Sequence, residues 1–86
     1  MLIKFSKTAL KFLQKLDKNS VERLRNAIQG LTLNPPVGDI KTLQGYSNDC
    51  NRLRVNGWRV IYRMDMNNEQ SLLLILDIGY RGDVYK

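Results

Sequence analysis

Residues 52 to 62, RLRVNGWRVIY, leave the chain little choice about its centre. An Asn-Gly pair between two alternating segments is the strongest short-range signal for a β-hairpin. With Asn56 and Gly57 as a two-residue loop, Val55 faces Trp58, Arg54 faces Arg59, Leu53 faces Val60 and Arg52 faces Ile61. Directly opposed residues share a sheet face, and side chains alternate with a period of two. Leu53, Val55, Trp58, Val60 and Tyr62 therefore take one face. Arg52, Arg54 and Arg59 take the other, with Ile61. A slip of one residue would exchange the two faces, so the assignment rests on this turn.

Three arginines on one side of a hairpin need a physical reason. Like charges placed opposite one another across a sheet destabilise it. No acidic residue lies between Arg52 and Arg63 to interleave with them. A polyanion would neutralise the row, and the planar guanidinium fork matches phosphate oxygens bidentately. Alternatively Asp49, Asp77 or Asp83 reaches across and completes an ordinary surface network. The whole chain carries a formal charge of +6. That charge fits a nucleic acid, an anionic membrane or an acidic protein as partner, and equally a plain basic surface. Six of seven lysines precede residue 42, whereas five of seven arginines lie between 52 and 81. The phosphate-matching cation is thus concentrated in the second half.

The 86 residues make one domain, spanning 1–86, with one modest core and no room for a deep substrate cavity. Cys50 is the only cysteine and there is no histidine. Intrachain disulfides, Cys/His zinc sites and Ser-His or Cys-His catalysis are excluded, and no cofactor is expected. A lone cysteine fits a reducing compartment. The opening MLIKFSKTAL has no long apolar run, and LLLILDIG at 72 to 79 is too short to cross a bilayer. A cytoplasmic protein without membrane association is expected.

LIKF at 2 to 5 reads as a strand, and Ser6 can cap a following helix. Ala9, Phe12, Leu13 and Leu16 then share a helical face. NSVE at 19 to 22 is close to a capping box. Val21, Leu24, Ile28 and Leu31 continue at helical spacing until NPP at 34 to 36 ends the helix. Residues 37 to 49, VGDIKTLQGYSND, read as a loop. After the hairpin and the turn NNEQ, SLLLILD supplies another strand, and the tail IGYRGDVYK adds Arg81 and Tyr85. The predicted fold is α+β with the order β-α-α-β-β-β. Two N-terminal helices pack on one face of an antiparallel sheet, over Leu53, Val55, Trp58, Val60 and Tyr62. Trp58 and Tyr62 are then core residues, and Cys50 is structural.

These segments, in this order, resemble the RelE/ParE superfamily of toxins from toxin–antitoxin pairs. FSKTALKFLQKLDK is similar to its first helix, and KTLQG to the loop before its sheet. NRLRVNGWRVIY is similar to its most recognisable strand pair, and IGYRGDVYK to its closing segment. The resemblance implies the RelE-like, microbial-ribonuclease-type fold. It implies a metal-independent endoribonuclease, an mRNA interferase that enters the ribosomal A site. There the RNA 2′-hydroxyl attacks the adjacent phosphate and releases a 5′-hydroxyl fragment. Residue by residue, Arg52 and Arg54 stand where relatives often carry lysine. Arg59 is the arginine just after the turn, Arg81 the one near the chain end, and Tyr85 the terminal tyrosine. Tyr80 stands at a position often held by histidine.

Arginine is a poor proton acceptor, so Tyr85 is the first candidate for the acid–base step. A cationic cluster lowers a phenol pKa. Packing of Tyr85 in the C-terminal segment is the alternative. The resemblance also implies partners: a cognate acidic antitoxin, the ribosome and mRNA. The free toxin is expected to be monomeric and to form a hetero-oligomer with the antitoxin. Two other functions remain open. One is a ParE-like inhibitor of DNA gyrase, and the other is a non-enzymatic basic module that docks RNA or an acidic protein.

Overall fold

The computed structural model describes residues 1–43, 50–67 and 69–80, without the side chain of residue 67. Ser6 starts the fold's first helix by serving two masters. Its hydroxyl accepts from the Ala9 amide at 3.1 Å, which caps α1 (Lys7–Gln14). The same hydroxyl donates to the Leu76 carbonyl at 2.6 Å. The cap thereby anchors the helix to a strand seventy residues later in the chain. β1 (Leu2–Phe5) leads into this cap.

The second helix, α2 (Lys18–Gln29), begins two residues earlier than the capping-box pattern suggested. Asp17, in extended geometry, occupies the N-cap position in place of Asn19. A hydrogen bond from the Ser20 side chain is the main cause that lowers the Asp17 carboxyl pKa below its usual value, against an opposing effect of desolvation. One turn of 3₁₀ helix (Gly30–Thr32) follows and buries Leu31.

Among the described residues the strands are β1, β2 (Asp39–Thr42), β3 (Cys50–Val55), β4 (Trp58–Asn67) and β5 (Gln70–Tyr80). They form a single sheet in the order β1-β5-β4-β3-β2. The α+β class and the two helices on one face are as expected. Ala9, Leu24, Ile28 and Leu31 close over Leu53, Val55, Val60, Tyr62, Leu73, Ile75 and Ile78.

Three details differ from the sequence expectation. The sheet is mixed, because β1 pairs parallel to β5. The stretch expected as a loop from 37 to 49 contains β2, paired antiparallel to β3. The last strand also runs on through Ile78 and Gly79 to Tyr80. Four residues with a single apolar member, Ile40, carry too little alternation to announce a strand. A partner edge on β3 supplies what propensity does not.

The β4–β5 pairing skips one residue. Ile61 opposes Asp77 and Tyr62 opposes Ile75, so Leu76 is the extra member of a β-bulge. The bulge returns both Ile75 and Ile78 to the helix side. It also leaves the Leu76 carbonyl available to the Ser6 hydroxyl.

Candidate nucleic-acid interface

The hairpin sets the site. Its register is Val55 to Trp58, Arg54 to Arg59, Leu53 to Val60 and Arg52 to Ile61, as the Asn-Gly turn requires. Asn56 takes φ +52°, a conformation asparagine tolerates better than most residues. Arg52, Arg54 and Arg59 consequently lie together on the sheet face turned away from the helices.

β2 extends this face by another strand. Asp39 opposes Arg54, and Lys41 opposes Arg52. One row across the sheet therefore reads Gly79, Arg59, Arg54, Asp39, and the next reads Asp77, Ile61, Arg52, Lys41. These two rows hold four cations and two carboxylates among the described residues. Within these rows cations outnumber carboxylates.

Among the described residues, Asp77, which the sequence offered for an internal network, pairs with none of the arginines, and the carboxylate that meets them is Asp39. Its two oxygens lie 3.8 Å from Nη2 of Arg52 and 3.9 Å from Nε of Arg54. Both distances exceed the 2.7–3.2 Å of a hydrogen bond. Asp39 thus screens the guanidiniums without engaging their donors. Asp49 and Asp83 lie outside the described residues, as do Tyr46, Arg81 and Tyr85. Reading 37 to 49 as a loop concealed Asp39. The one available signal was Ile40 flanked by polar residues on both sides.

Arg52 takes the expected face but is not on the surface. It is only 5% exposed, on the face opposite α1 and α2. Cys50 and Ile61, on the same face, are fully buried as well. Ile61 sits directly opposite Arg52, and Cys50 is two residues away on the same strand. Sheet alternation specifies a direction but not a depth. Nη1 of Arg52 and Nε of Arg54 are shielded from solvent and have no hydrogen-bond partner among the described residues. A buried cationic donor left open is costly. A bound anion would fill both positions.

The remaining aromatic expectations are clear. Tyr62 is buried in the helix-side core, and Trp58 packs against it at the edge of that core. Burial pushes the Tyr62 phenol pKa upward. Tyr80 opposes Trp58 and makes an edge-to-face contact with Phe12, with ring centroids 5.2 Å apart. It belongs to the helix side, away from the arginines, so it does not take the place of an active-site histidine. Cys50 is a buried side chain of β3, as a structural residue would be.

The fold of the described residues, two helices on a five-stranded sheet, is shared with small protein toxins. The chain belongs to the family described as ParE toxin of type II toxin–antitoxin systems, whose model matches residues 3–85. An Escherichia coli protein named as a RelE-like toxin is 33% identical over 87 residues, covering 96% of this chain and 87% of that relative. RelE in the archaeal RelE–RelB complex from Pyrococcus horikoshii superposes with a TM-score of 0.73 at 29% identity, over 95% of this chain and 96% of that one. The isolated E. coli RelE toxin gives 0.70 at 25% identity, over 98% and 89%. This protein is a toxin of the RelE/ParE superfamily.

Proposed function

We propose that the toxin holds the RNA backbone on its arginine face and cleaves mRNA in the ribosomal A site. The observation that carries this reading is the convergence of Arg52, Arg54 and Arg59, with a buried guanidinium nitrogen on Arg52 that has no hydrogen-bond partner among the described residues. Phosphoryl transfer depends on alignment and charge stabilisation more than on covalent help from the protein. Arg52 and Arg54 would grip the non-bridging oxygens of the scissile phosphate, and Arg59 would meet the charge that develops on them.

In the reaction the 2′ oxygen bonds to phosphorus while the bond from phosphorus to the 5′ oxygen breaks. The proton leaving the 2′-hydroxyl is balanced by one delivered to the departing 5′ oxygen. Tyr85 is assigned to this proton traffic and Arg81 to the same phosphate, both on the resemblance to RelE-type toxins. An acidic antitoxin of the RelB kind is the regulatory partner. Its binding would cover the basic surface in the resting cell.

Inhibition of DNA gyrase is the second reading. The ParE family match favours it, and so does arginine at both positions that RelE relatives often fill with lysine. One experiment separates the two. Wild-type toxin is induced without antitoxin beside Arg59→Ala, Arg81→Ala and Tyr85→Ala, and mRNA 5′ ends are mapped. New ends within translated codons are expected for the wild type, reduced about a hundredfold by Arg59→Ala. Intact mRNA together with loss of plasmid supercoiling would instead establish gyrase as the target.

A further inference from the structure

We propose that Asp39 sets the anion selectivity of the arginine face, as a built-in counter-ion that a nucleic-acid backbone outcompetes and a single small anion does not. The inference rests on reading that face as an RNA-backbone site.

Three observations support it. Asp39 lies within ion-pair distance of both Arg52 and Arg54, on opposite oxygens of one carboxylate. The distances are too long for either pair to be hydrogen-bonded. Yet Nη1 of Arg52 and Nε of Arg54 remain buried without a hydrogen-bond partner among the described residues. The carboxylate therefore cancels charge while leaving donors unspent.

A lone phosphate entering here meets two cations and one nearby anion, so its electrostatic gain is small. An RNA strand presents several phosphates at once. It can reach Arg54 and also Arg59, which stands on the far side of Arg54 from Asp39 in the same cross-strand row. The contacts beyond Asp39's reach compensate for its repulsion. Asp39 is 56% exposed, so water can solvate it as the strand settles. It sits on a short edge strand, which leaves the position open to the incoming chain.

The carboxylate has a structural role as well, since it relieves the repulsion between Arg54 and its neighbours. The two roles make different predictions. A purely structural Asp39 would alter stability when replaced, but would leave the ratio of RNA to phosphate affinity where it was.

The test uses the full-length free toxin and a fluorescently labelled single-stranded RNA, displaced by inorganic phosphate. Asp39→Asn keeps the shape and removes the charge. It should lower the phosphate concentration needed for displacement by about tenfold, and tighten RNA binding only about two- to threefold. Asp39→Glu should restore wild-type selectivity. Asp39→Ser repeats the measurement should the asparagine chain fold poorly, and thermal midpoints report folding for each. Unchanged phosphate competition in the neutral variants, with RNA binding still lost in Arg54→Ala, would overturn the role of Asp39 alone. RNA binding that survives Arg54→Ala and Arg59→Ala would overturn the backbone site together with it.

Discussion

Arg52 shows how far alternation can carry a prediction. The period of two placed it beside Arg54 and Arg59, and the register agrees. Its burial was not legible, because what lies above a sheet face is decided by residues remote in sequence. Asp39 was hidden for a related reason. An ion pair across two strands appears only once the second strand is known. Arg52→Lys separates charge from shape at this position. Lysine keeps the cation but loses the planar fork, so mRNA cleavage should fall at least about tenfold in an expression assay while the thermal midpoint moves little. Tyr62 gives a prediction about pH. Its folded pKa is raised above the ordinary 10.0 by burial. A raised folded value means that the phenol's contribution to stability is intact below pH 10 and is lost as pH climbs through the folded pKa. Denaturant midpoints measured from pH 8 to 11 should decline less steeply in Tyr62→Phe than in the wild type.

At the level of elements, strands with strong alternation and helices with a clear apolar stripe were legible, along with their order. β2 was not, and it matters most to the site because it carries Asp39 and Lys41. Gly38 explains how so short a strand starts where it does. It adopts φ +143°, a region closed to side chains, and a β-carbon there would sit 2.6 Å from Cδ1 of Leu53. Gly38→Ala should therefore shift β2 away from β3, at a cost of about 1–3 kcal/mol in unfolding free energy. Chemical denaturation measures that cost. Amide exchange should reveal its location, with faster exchange at residues 39 to 42 than at the β4–β5 pair.

Across the whole molecule, the class of fold was legible and the partner of β1 was not. Sequence marks LIKF as a strand without saying which edge receives it. Pairing to β5 also explains the Ser6 cap, since the helix start and the strand it docks on are fixed together. Ile3 and Phe5 stand beside Leu73 and Ile75, at the edge of the core. A chain lacking residues 1–5 should lose this edge and with it cooperative thermal unfolding, as followed by circular dichroism. The same arrangement bears on how the poison is made. β1 has no neighbour in the sheet until β5, seventy residues later in the chain, has left the ribosome. Contacts so distant along the chain form slowly. A chain translated only as far as β4 therefore lacks its finished sheet, and with it the frame that holds the arginine face in place.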